Sequence, residues 1–76
     1  MELTLDETLH KAVESHKAGQ VQEADRLYKT ILEVQPKHPD ANHNMGVLAV
    51  SVGKGQESLP FFKTALEANP SIGQYW

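Results

Sequence analysis

Four histidines, ten Asp and Glu side chains and a Ser15-His16 pair are the residues of this 76-residue chain that could do chemistry. His10 and His16 are six apart, so on a helix they point to different sides. His38 and His43 straddle a predicted helix start. No pair has the i,i+4 spacing that puts two imidazoles on one zinc ion. Cysteine is absent, which removes thiolate sites and disulfides. We therefore expect no metal and no cofactor. Ser15, His16 and Asp6 have the residue types of a nucleophilic triad, but helix geometry does not bring them together. Glu7, Glu14, Glu23, Glu33, Glu57 and Glu67 fall mostly on solvated faces. Gly53-Lys54-Gly55 follows a helix and is too short for a phosphate-cradling loop. The expectation is a chain with no reaction of its own.

The elements that carry these residues recur. At an offset of 34, Gly19 falls on Gly53, Glu23 on Glu57, Pro36 on Pro70, Lys29-Thr30 on Lys63-Thr64 and Leu32-Glu33 on Leu66-Glu67. Asp6/Asp40, Val13/Val47 and Gln22/Gln56 complete the set. A unit of that length cannot bury its apolar face alone and stacks on copies of itself. Stacked units make surfaces more readily than catalytic pockets.

Breaks at Ala18-Gly19-Gln20, Pro36-Lys37-His38-Pro39, Gly53-Lys54-Gly55 and Pro70-Ser71-Ile72-Gly73 separate four segments of helical period. The first spans about 5–18. Thr4 caps it with Glu7 closing a capping box, Leu5, Leu9, Ala12, Val13 and His16 form its face, and Gly19 ends it. The second spans about 21–34, with Val21, Ala24, Leu27, Tyr28, Ile31 and Leu32 inward and an Asp25–Lys29 pair outward. The third spans about 39–52, led by Pro39 and Asp40. Met45, Leu48, Ala49 and Val52 form its buried face, and Gly46 leaves room for a neighbouring backbone. The fourth spans about 55–68, with Leu59, Phe62, Ala65 and Leu66 inward. Pro60 deprives the Gln56 carbonyl of its partner, predicting a slight bend or a late start. Short connections make consecutive helices antiparallel neighbours. The fold class is all-α, two αα-hairpins side by side plus a tail.

The formal net charge of −3, with seven scattered basic residues, argues against nucleic-acid binding. No apolar run spans a bilayer and the start lacks the order of a signal peptide. The expectation is a cytoplasmic domain with no membrane partner.

The period, the helix–turn–helix units and their terminal prolines resemble the tetratricopeptide repeat family, whose pattern is W-x2-L-G-x2-Y, A-x3-F, then P. One unit, 39–72, reads Asn42-x2-Met45-Gly46-x2-Ala49, Ser58-x3-Phe62, Pro70. The other, 5–38, reads Thr8-x2-Lys11-Ala12-x2-Ser15, Ala24-x3-Tyr28, Pro36. Lys11 departs from the pattern, as end repeats often do. Trp76 stands one repeat after Asn42, so residues 73–76 read as the start of a truncated third unit. The run Asp40-Ala41-Asn42-His43-Asn44-Met45-Gly46 is similar to repeats of bacterial proteins related to O-GlcNAc transferases, where an asparagine at the place of Asn44 holds a bound peptide backbone. His10 stands at the matching place of the first unit. A groove that grips a C-terminal carboxylate needs Lys and Asn where this chain has Leu9 and Val13.

The resemblance implies a right-handed superhelical solenoid whose first helices line a concave groove. That lining is Leu9, His10, Val13, His16 and Lys17, then His43, Asn44, Val47, Val50 and Ser51, and it suits a protein or peptide segment. Phe61, Phe62, Leu66, Tyr75 and Trp76 lie where a third repeat would dock, and we expect either that two chains meet through this end as a homodimer, with or without exchange of helices, or that the fold is marginal. The function expected is a non-catalytic interaction scaffold. The alternatives are a substrate-presenting N-terminal segment of a larger enzyme, such as a glycosyltransferase, and a self-assembly unit.

Overall fold

The computed structural model describes residues 3–69 and is all-helical over them, with helices α1 (Leu5–Lys17), α2 (Val21–Val34), α3 (Pro39–Ser51) and α4 (Gly55–Ala68). Residues 70–76 lie outside the described part, and with them Tyr75, Trp76, the end of the second unit and the start of the third.

Each bound of α3 and α4 lies 34 residues beyond the matching bound of α1 and α2. The devices that set those bounds recur as well. Thr4 caps α1, accepting the Glu7 N–H at 3.1 Å while the Glu7 carboxylate accepts the Thr4 N–H at 3.0 Å. His38 caps α3 at the equivalent place, its Nδ1 accepting the Ala41 N–H at 3.1 Å, and Pro39 follows in the first turn. Past the C-terminal ends, Gly19 and Gly53 take φ of 80° and 81°. Gln20 N–H then reaches back to the Ser15 carbonyl and Lys54 N–H to the Ala49 carbonyl, both at 2.8 Å. A left-handed residue is what lets the chain fold back on the last carbonyls, and glycine adopts it without a Cβ penalty. The Asp25–Lys29 pair forms at 3.0 Å on α2, and Arg26 adds a bidentate pair to Glu23 at 2.6 and 2.9 Å.

The helices pack as α1 on α2 and α3 on α4, with α3 laid across both α2 and α1. Ala12, Ala24, Leu27, Tyr28, Met45 and Leu48 form one core, with Leu9, Val21, Leu32 and Phe61 partly buried against it. Tyr28 is 1% exposed, and burial pushes its phenol up to about 12. Asn42 ties the two hairpins together: its Nδ2 donates to the Pro36 carbonyl at 3.0 Å and the His38 carbonyl at 2.9 Å.

Four sequence expectations are corrected and one is narrowed. Leu59 and Leu66 face outward, 64% and 47% exposed, because α4 turns Ser58 and Phe61 inward beside the expected Phe62 and Ala65. Val52 is exposed at the C-cap of α3 rather than part of its buried face. Helix α4 begins at Gly55, so of the two outcomes expected at Pro60 the late start does not occur. The neighbour that crowds Gly46 is the Phe62 ring, not a backbone. His43 is a core residue, with its ring centroid 5.4 Å from that of Phe62 and the planes at 58°.

Candidate functional site

Helices α1 and α3, the first of each hairpin, lie side by side. Val13 and Lys17 are i,i+4 neighbours on α1, and Val47 and Ser51 are the same pair on α3. Both valines are half-buried, while Lys17 and Ser51 are exposed. The Ser51 hydroxyl donates to the Leu48 carbonyl at 2.7 Å, so its hydrogen goes to its own helix. Leu9 is drawn inward onto the core and His16 is half-buried. His10 is exposed, with Nε2 2.9 Å from the Glu14 carboxylate one turn on. Asn44 is 8% exposed at the middle of α3.

His43 and Val50 belong to a different stripe. They are i,i+7 on α3, and His43 packs on Phe62 of α4. Desolvation holds the His43 imidazole below its ordinary pKa, and the Asp40 carboxylate offsets part of that. The neutral ring is thus the favoured form in the fold. Elsewhere the charged groups sit in water and serve helix ends and faces. Hydrogen bonds from the Thr4 backbone and side chain hold the Glu7 carboxyl below the usual range, and Arg26 does so for Glu23.

Sequence reasoning missed a second concavity. A crevice of about 390 Å³ runs between α2 and α4, with α3 as its floor. Met45, Leu48, Ala49 and Phe61 supply apolar lining, and Asp25, Lys29, Lys54 and Glu57 stand among the charged groups around it. The one signal for it in the sequence is Val21, Met45 and Phe61, which are apolar at the ends and middle of different helices and which a core reading simply absorbs.

The third surface is the outer side of α4. Phe61 turns toward the crevice, Phe62 is half-buried, and Leu59 and Leu66 are bare. Among the described residues, no three His, Asp or Glu side chains cluster as a metal site, and no helix is long and apolar enough to cross a membrane.

No family model, no curated protein and no solved structure matches this chain.

Proposed function

We propose that the chain is a tetratricopeptide-repeat-like scaffold, a right-handed stack of helical hairpins that binds a protein segment and catalyses nothing itself. The observation that carries this reading is the recurrence at 34 residues of every helix bound, both N-caps and both left-handed glycines. A unit that repeats sets its stops and starts at the same interval, which supports this reading. A repeat of this kind exposes equivalent faces of its first helices next to each other. Here that face offers a half-buried apolar floor, Val13 and Val47, between hydrogen-bonding and charged groups, His10, Lys17 and Ser51. An extended or helical peptide would be held by packing on the valines, with the polar groups setting its register.

Selection of binding peptides from a random displayed library tests the reading. The wild-type chain should enrich a consistent motif. The double variant Val13→Asp, Val47→Asp should lose those peptides, and Leu59→Glu should keep them. Enrichment that survives the valine changes would remove the groove from the proposal.

A further inference from the structure

The crevice between α2 and α4 has a make-up that the peptide groove does not account for. Its volume of about 390 Å³ lies in the range of small-molecule pockets. Met45 and Leu48 form its floor and belong to the core, so the bottom is held by packing. Ala49 stands beside them, and its short side chain leaves the space above it open. Val21 on the α2 wall and Phe61 on the α4 wall are half-buried. The floor belongs to the junction of the two hairpins and not to the repeat, because α1 carries Lys11, Glu14 and Ser15 where α3 has Met45, Leu48 and Ala49.

The charges around this floor are of two kinds. On α2, Asp25 and Lys29 pair with each other at 3.0 Å and neutralise that wall. On the α4 side, Lys54 at the N-cap and Glu57 one turn on also line the crevice. Among the described residues neither enters an ion pair. A base ahead of an acid is the weaker order for a pair along one helix, and both charges stay open. A ligand with a carboxylate alone would be drawn to Lys54 and repelled by Glu57. One with an ammonium alone would meet the reverse. A molecule that carries both charges close together on an apolar body matches all of these groups. Its carboxylate would face Lys54, its ammonium Glu57, and its side chain would lie over Ala49 between the Met45 sulfur and the Phe61 ring, which both favour an aromatic group.

We propose that the crevice between α2 and α4 is a binding site for a zwitterionic small molecule, an α-amino acid with a large apolar side chain. The site shares no lining residue with the groove between α1 and α3, so peptide selection and amino-acid binding can fail separately. Titration of the nitrogen-labelled 76-residue chain with L-phenylalanine, followed by amide chemical shifts, is the test. The shifts should saturate at millimolar concentration, centre on Ala49, Lys54 and Phe61, and leave Val13 still. The N-acetyl amide of phenylalanine keeps the ring and has neither charge, and it should bind roughly five-fold more weakly, the worth of an exposed ion pair. Lys54→Glu lies outside the core and should weaken phenylalanine binding by roughly five-fold as well. Ala49→Met fills the floor and should abolish the shifts at unchanged helical circular dichroism. No saturable shift up to the solubility limit of phenylalanine would overturn the site, and so would shifts centred on α1. Equal binding of the acetyl amide, or binding indifferent to Lys54→Glu, would show that the crevice reads the ring and not the head group, and would overturn the zwitterion. Full-size shifts in a folded Ala49→Met chain would place the ligand outside the crevice.

Discussion

A Cβ built on Gly46 would lie 2.5 Å from Cε1 of Phe62. The Phe62 ring therefore occupies the space a side chain would need, and it also packs on His43 one helical turn away. Alanine for glycine inside a helix ordinarily gains about 1 kcal/mol. Overpacking typically costs about 1–3 kcal/mol, and here the clash is with ring atoms held between two helices. Gly46→Ala should therefore destabilise the fold on balance, by roughly 1 kcal/mol. Phe62→Leu in the same chain should recover part of that loss, although Phe62→Leu alone should destabilise. Thermal melts of the double-mutant cycle measure the coupling; additive effects would show that the two residues do not compete for space.

The positive φ of Gly19 and Gly53 gives a second, cleaner expectation. Nothing lies within 4 Å of a Cβ at either position, so alanine there meets only backbone strain. The left-handed conformation costs an L-residue roughly 1–2 kcal/mol. Gly19→Ala and Gly53→Ala should each destabilise by about that amount, and by nearly the same amount as each other. Urea unfolding at fixed temperature reads both. A large cost at one glycine and none at the other would break the equivalence of the two hairpins.

The caps, the breaks and the helix bounds were legible because each is set within a few residues. Thr4 with Glu7, Pro39, Gly19 and Gly53 act through local sterics and hydrogen bonds that no distant contact has to supply. The inward face of α4 was not legible from apolarity, because hydropathy ranks side chains by polarity and close helix packing selects them by size. Ser58 and Ala65 are buried while Leu59 and Leu66 are not. The repeat itself pointed the right way, since Ala24-x3-Tyr28 aligns with Ser58-x3-Phe62, both of them the observed packing positions. Thr8, Ser15 and Asn42 are buried for related reasons: they are small or find a partner on the backbone, as Thr8 does on the Thr4 carbonyl at 2.9 Å. The crevice between α2 and α4 could not be read at all, because it exists only through the separation of two helices that are not neighbours in sequence.

Asn42 is the tether between the hairpins. It is buried, and its amide supplies two hydrogen bonds to carbonyls of the 35–38 connection, which has few other bonds. Removing the amide takes the donor from the Pro36 carbonyl, while the His38 carbonyl keeps the backbone N–H of residue 42, at a cost of about 1–3 kcal/mol. Asn42→Ala should destabilise by that order and should raise amide hydrogen exchange at Lys37 and His38 above exchange in the middle of α2. Unchanged exchange in the connection would mean that the tether is held by packing alone.

His43 makes stability depend on pH in a direction that can be worked out. Burial lowers its pKa in the fold, with Asp40 opposing part of the effect, while the unfolded chain keeps a value near 6.5. Between the depressed native value and about 6.5 the unfolded state binds more protons, so stability rises with pH across that window. The contribution is complete above about 6.5 and is lost as pH falls through the window toward the native value. His43→Phe keeps an aromatic ring against Phe62 but removes the titration. The variant should lose less melting temperature than the wild type on going from about pH 7 to pH 5, the interval that brackets the histidine. Because His10, His16 and His38 remain in both chains, their contributions cancel in the difference. Parallel pH profiles would mean that His43 is protonated as readily in the fold as outside it, and that the α3–α4 contact tolerates a charged ring.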